Sequence, residues 1–233
     1  MSTEPHFVRL LNNCLHALTI EAGPHPVGVI QIGAADGRTG DYLHHFLTTS
    51  ACCALLLEPV THVFQELCMT YQNYPSVECR QQAVSDVAGT RSLYRIRDVT
   101  GLPWWADQLA SFDHQVILSH AALIPNLAAQ IISEPTTTVT PSMLIAGFAR
   151  NGIDIVATDT EGHDDIILAA FLCAECFPRL ILFEHKHLSS ARFEVLSARL
   201  RECGYELFQG VSDTLCARHG FSSFHVPRDP LDT

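Results

Sequence analysis

Short unbroken apolar runs alternate along this chain of 233 residues with stretches whose apolar positions fall three and four apart. Runs of the first kind read as buried strands, stretches of the second as amphipathic helices. Residues 6–20 carry the helical spacing and predict a lead-in helix. Residues 27–32 (VGVIQI), held between Pro26 and Gly33, predict a strand, and 39–47 a helix. The pair recurs at 54–57 (ALLL) and 60–71, and strands are expected at 77–84 and 92–96. From 97 to 141 the rhythm is lost, and a connection of that length carries function or small elements of its own. Beyond it come a helix at 141–151, opened by a proline, and a strand at 153–158. A helix at 164–176, a strand at 179–183 and a helix at 189–203 follow, the last stopped by Gly204. The tail, 205–226, predicts an antiparallel hairpin.

Strands alternating with helices predict an α/β fold. The expected form is a mostly parallel sheet with helices on both faces and a C-terminal antiparallel hairpin. One domain spans residues 1–233, with 1–25 as an N-terminal helix and 97–141 as an insertion or lid. Ligands of such sheets bind beyond the carboxyl ends of the strands. The residues to watch are therefore 33–37, Glu58, Ser85 and Asp86, 159–163 and 184–187.

Composition narrows the classes. Fourteen basic against 25 acidic residues give a formal net charge of -11. That opposes a nucleic-acid partner, which would call for a basic stripe, and a polybasic membrane surface. No apolar run approaches the roughly 20 residues of a spanning helix, and the N-terminus lacks a secretory pattern. Nine cysteines form no framework. Cys173 and Cys176, inside an apolar helical pattern, are expected as buried reduced thiols. The expected address is cytoplasmic, with the oligomeric state open and a homodimer among the options.

The first turn, Gly33-Ala34-Ala35-Asp36-Gly37, spaces two glycines four apart where a strand opens toward a helix. Small residues there let a ligand approach the backbone. A dinucleotide fingerprint would place glycines at 35 and 38, where this chain has Ala35 and Arg38. Glu58, ending the second strand, offers a carboxylate to a ribose diol. With Asp36 nearby and no lysine, the loop suits a cationic nucleoside such as S-adenosylmethionine better than a phosphate.

These segments resemble the FkbM-type family of class I S-adenosylmethionine-dependent methyltransferases. The resemblance rests on VIQIGAADG (29–37), LLLEPV (55–60), AVSD with Gly89, IDIVATDTEGHD (153–164) and PRLILFEHKHL (178–188), in order over residues 27–216. GLPWWADQLASF (101–112) also resembles a subset of the family in which a tryptophan and a Ser-Phe pair precede a histidine, here His120. The resemblance implies a Rossmann-like, seven-stranded sheet, a bound S-adenosylmethionine and methyl transfer, most often to a hydroxyl oxygen of a small molecule such as a sugar or secondary metabolite. It implies that Gly33, Ala34, Asp36 and Gly37 line the methionine end, that Glu58, with Pro59 beside it, holds the ribose, and that Ala83 and Ser85 flank the adenine. Asp159 and Glu161 would face the methionine end or the acceptor. Ala157 departs from the family's usual polar residue two places before the aspartate.

A hydroxyl acceptor benefits from a general base near neutrality. Of the 13 histidines, His120 in the lid and His185 after the fifth strand are the candidates, with His163 and His187 behind them. Asp159, Glu161, Asp164, Glu184 and His185 have the chemistry of a magnesium or manganese site, but their spacing matches no ligand signature and no metal is assigned. Asp164 is expected to cap the following helix. Trp104, Trp105 and Phe112 either pack the lid or wall the acceptor. Three rivals remain at this level: an N- or carboxyl-methyltransferase, a nicotinamide oxidoreductase, and a non-catalytic binding platform.

Overall fold

The computed structural model describes residues 4–148 and 152–221. In chain order the first half comprises α1 (Glu4–Ala22), β1 (Val27–Ile32), α2 (His44–Thr49), β2 (Cys52–Leu57), α3 (Thr61–Tyr71), β3 (Val77–Arg80), β4 (Ala83–Val84) and β5 (Gly89–Ile96). A 3-10 turn (Trp104–Asp107), β6 (Ala110–Ser111), α4 (His114–Leu118), a second 3-10 turn (Ser119–Ala122) and α5 (Leu127–Gln130) lead into β7 (Ile131–Val139). The chain continues with α6 (Pro141–Phe148), β8 (Ile155–Thr158), α7 (Asp164–Cys173), β9 (Leu180–Glu184), α8 (Ser190–Glu202), β10 (Tyr205–Gln209) and β11 (Asp213–Arg218). The last positions of the helix expected at 141–151, and the tail beyond 221, lie outside the described residues.

Seven strands form one sheet in the order β10-β11-β9-β8-β1-β2-β3. All neighbours run parallel except β11, which is antiparallel to both β9 and β10. Period-two alternation divides each central strand between two cores. Val27 and Val29 of β1, Ala54 and Leu56 of β2, and Leu180 and Leu182 of β9 pack with α1, α2 and α3 around Phe7, Leu18 and Leu67. Their neighbours Ile30, Ile32, Leu55, Leu57, Ile181 and Phe183 pack with α6, α7 and α8 around Phe171, Leu196 and Leu200. A strand buried on both faces reads as a continuous apolar run, which is why these were legible.

Two expectations change. The strand expected at 77–84 is broken between Arg80 and Ala83, so β3 ends the main sheet while β4 starts a second one of order β4-β7-β5-β6. And the irregular stretch is not irregular throughout: β7, with its Pro-Thr-Thr-Thr run, is a nine-residue strand antiparallel to β5. β4 reaches only Thr138 and Val139, so at Pro135 one side of β7 is an open edge, the setting in which a strand tolerates proline. Residues 97–130 fold across this ribbon over a small core of Ile96, Leu109, Ile117 and Leu127. The second sheet thereby overhangs the carboxyl edge of the first.

The cysteine expectation also changes in part. Cys176 is half-buried, but Cys173 is exposed, because α7 ends there and the chain leaves through the left-handed Glu175.

Candidate active site

The site is built on one close backbone crossing. Leaving β1, Gly33 takes φ +74°, and a Cβ there would lie 1.8 Å from the Asp159 carbonyl oxygen, so only glycine lets the loops after β1 and β8 meet. The N–H groups of Gly33 and Ala34 donate to the Leu57 carbonyl at 2.9 and 3.0 Å, drawing the loop over the end of β2. That brings the Ala35 N–H to Glu58 Oε2 (3.1 Å), while the Val60 N–H donates to Oε1 (2.8 Å). Glu58 is buried, and desolvation outweighs both amides and the nearby His62, pushing its carboxyl up to about 7.

Two cavities share this crossing. The first runs past Gly33 and Ala35 to Glu58, Pro59 and Ala83, and is bordered by Leu93 and Phe112 of the overhanging layer. The second opens beside Gly33, Ala34 and Asp159 toward Tyr42, Trp104, Glu184 and Asp213. Neither lining contains a lysine or arginine. Across the mouth, His62 of α3 meets Asp107 of the lid, Nε2 to Oδ1 at 2.6 Å.

Negative charge collects at the far end. Burial, reinforced by Glu161 and Asp164, holds the Asp159 carboxyl well above its usual range. Burial, with Asp159 and Glu161 alongside, does the same to Glu184. Burial carries Asp164 and Asp213 up to about 6. Glu161 sits at φ +53° and Gly162 at +94°. Two neighbours hold that turn: Ser111 Oγ donates to the Glu161 carbonyl (2.6 Å), and Arg192, ion-paired with Asp165, donates to the Gly162 carbonyl (2.9 Å). Glu161 Oε2 faces His187 Nε2 at 2.8 Å. His187, His120 and Trp105 form a row of rings, His120 lying 5.5 Å from His187 and 5.2 Å from Trp105.

The family model of the methyltransferase FkbM domain matches residues 31–207, a span that contains this whole crossing. The chain belongs to the FkbM methyltransferase family. No curated protein matches it. Among solved structures it resembles the FkbM methyltransferase of Methylobacillus flagellatus KT, with a TM-score of 0.51 at 11% identity over 82% of this chain. The chain spans 43% of that protein's length, and the likeness is one of fold. Lower scores go to the METTL16 methyltransferase domain (TM-score 0.46, 10% identity, 87% of this chain and 63% of that one). Aeropyrum pernix fibrillarin, solved with natively bound S-adenosyl-L-methionine, follows at 0.39 (11% identity, 87% and 72%).

In this FkbM-domain chain, Gly33, Ala34, Glu58, Pro59, Ala83, Asp159 and Glu161 all line the cavities. Asp36, Gly37, Ser85 and His185 do not. The Asp36 carboxylate turns onto its own loop, accepting the N–H groups of Arg38 (2.9 Å) and Thr39 (2.8 Å) and the Thr39 hydroxyl (2.6 Å). Although its partial burial opposes this, those bonds hold its pKa below the usual value. Gly37 packs against Tyr71 and Leu67, where a Cβ would come within 2.6 Å. Ser85 is buried with His163 (3.0 Å) and Arg91 (3.0 Å). Burial and Arg91 lower His163 to about 4, so it is neutral and holds loops together. His185 turns away to Thr214 (3.0 Å) and Gln209 (3.2 Å).

His120 borders a third cavity with Glu161, Lys186 and Trp105. Asp164 does not cap α7. His163 holds the cap position, and the Asp164 carboxylate accepts the Thr160 N–H (3.3 Å). Sequence reasoning missed Gln108, which touches all three cavities from the lid, and Asp213, whose strand order gave no hint that it would return beside β9.

Proposed function

We propose that the chain transfers the methyl group of S-adenosylmethionine to a hydroxyl of a small molecule. The observation that carries this reading is the pair of cavities meeting at the Gly33–Asp159 crossing, one suited to a nucleoside and the other to an acceptor. The residues fit the sulfonium nucleoside. Each Glu58 oxygen holds one backbone amide and keeps a lone pair for a ribose hydroxyl. Ala83, Leu93 and Phe112 offer an apolar slot to adenine. Asp159 and Glu161 oppose a cation at the junction, whereas a dinucleotide's phosphates would find no basic side chain in either lining.

Bound there, S-adenosylmethionine supplies an electrophilic methyl group. The chain's part is then alignment and exclusion of water, since in-line displacement gains most from a fixed approach geometry. Gly33, where a Cβ would strike the Asp159 carbonyl, lets the two loops that border both cavities lie against each other. Trp104 and Gln108 line the second cavity from the lid. The acceptor's proton needs a base, and the candidate is His120, which borders the adjoining third cavity: its Nδ1 lies 3.1 Å from the Val116 carbonyl oxygen, and with Nδ1–H donating to that oxygen, Nε2 is left as an acceptor. Glu161 borders the same cavity.

Isothermal titration with S-adenosylmethionine and S-adenosylhomocysteine, with NADH and NADPH as controls, tests this. Micromolar binding of the sulfur nucleosides that falls at least tenfold in Glu58→Ala is expected. Silence from both sinks the methyl-transfer reading, and a nicotinamide signal would replace it with hydride transfer.

A further inference from the structure

Besides lining the first cavity, Glu161 belongs to a grouping with Glu184 and His187 that methyl transfer to a hydroxyl does not require. Glu184 ends β9, His187 follows three residues later, and Glu161 lies in the loop after the adjacent parallel strand β8. Each offers one ligand atom, and the three atoms lie within 4.8 Å of one another. His187 Nε2 is 2.8 Å from Glu161 Oε2 and 3.9 Å from Glu184 Oε1. Ligands about 2.1 Å from one cation stand roughly 3.0–3.4 Å apart, so these separations bracket a coordination sphere.

Hydrogen bonding within the protein does not account for the grouping. Glu184 is 7% exposed, and its Oε2 has no hydrogen-bond partner. Glu161 Oε2 and His187 Nε2 likewise lack a well-formed bond, although they face each other. A protonated His187 could serve Glu161 but would leave the second Glu184 oxygen buried and unpaired. Unpaired buried carboxylate oxygens are costly. Asp159 sets a further buried carboxyl beside them, with Lys186 the cation that acts on both Asp159 and Glu184.

We infer that Glu161, Glu184 and His187 form a binding site for a divalent first-row cation of the manganese or zinc class. Two carboxylates and one imidazole suit such an ion better than calcium, which takes six to eight oxygens. The cavity bordered by His120, Trp105 and Lys186 touches the site at Glu161, and the second cavity touches it at Glu184. Sequence spacing gave no metal because two ligands come from one strand end and the third from its neighbour, joined only by the parallel register. His185, the histidine chosen from sequence, points the other way.

The inference stands apart from methyl transfer, since the site needs no nucleoside. The test is titration of the EDTA-stripped, dialysed chain with manganese chloride, followed by calorimetry and by loss of the free-ion electron paramagnetic resonance signal, with zinc as comparator. One ion per chain is expected, with affinity at least tenfold weaker in Glu184→Gln and in His187→Ala and unchanged in the exposed Glu78→Gln. Thermal melts establish that each variant is folded, and manganese should raise the melting temperature of the parent but not of Glu184→Gln. Absence of binding, or equal binding in all three variants, overturns the site and leaves a plain ion pair. Binding of S-adenosylmethionine in EDTA, measured separately, keeps that outcome distinct from failure of the methyl-transfer reading.

Discussion

Both oxygens of Glu58 accept a backbone amide before any ligand arrives, and yet burial still lifts its pKa to about 7. Ribose hydroxyls donating to this group favour its ionised form, so binding must expel a proton below that pH. Nucleoside affinity should therefore rise with pH and level off above 7, being roughly tenfold weaker at pH 6 than on the plateau. Titrations across that range check this, and Glu58→Gln should flatten the profile. The same shift acts on stability with a fixed sign. A carboxyl raised in the folded state binds more protons than the unfolded chain, so its contribution is full below the unfolded pKa and fades as pH climbs through 7. Glu161 makes the opposite point about strain. Its left-handed φ costs a non-glycine residue about 1 kcal/mol, and its carboxylate adds to the repulsion on Asp159 and Glu184. Glu161→Gly should raise unfolding free energy by about 1 kcal/mol in denaturant titration while methyl transfer drops at least tenfold. Equal or lower stability would show that the turn carries no such load.

At the scale of elements, the cleft depends on two sheets meeting at an angle rather than on any one loop. The main sheet supplies Gly33, Glu58 and Asp159, and the β4-β7-β5-β6 sheet carries the lid that closes over them. A short ion pair at the mouth joins His62 to Asp107, about half and a third exposed, so its worth to overall stability is small. Its effect should fall on the lid instead. Asp107→Ala should leave the melting temperature within a degree or two and weaken nucleoside affinity several-fold, through a faster off-rate seen by stopped flow. The main sheet was legible because doubly buried strands leave unbroken apolar runs and because ligand sites follow their carboxyl ends; Gly33, Glu58 and Asp159 were found on that rule alone. The second sheet was not. β7 is exposed on one face, rich in threonine and interrupted by Pro135, so its period of two was hidden among turn-forming residues. Single positions past a strand end failed for a simpler reason. After Glu184 the chain turns, with the Leu188 N–H on the His185 carbonyl, and which of two histidines faces the cleft is settled by that turn and not by spacing.

Over the whole molecule, the charge of -11 is not balanced locally around the cleft, where both main linings are free of lysine and arginine. A polyanion approaching this mouth would meet repulsion rather than counterion release. Labelled single-stranded RNA should show no anisotropy change with micromolar protein at 50 mM salt, and binding that weakened with added salt would contradict the assignment of a small acceptor. Among the described residues no helix is long and apolar enough to cross a membrane. One arrangement has a practical consequence. Both tryptophans of the chain stand side by side in the 3-10 turn at Trp104–Asp107, Trp104 63% exposed over the second cavity and Trp105 against His120. All indole emission therefore originates in one four-residue stretch of the lid. The protein is its own fluorophore for the state of its mouth, and a shift or quench on adding nucleoside reports closure without any label.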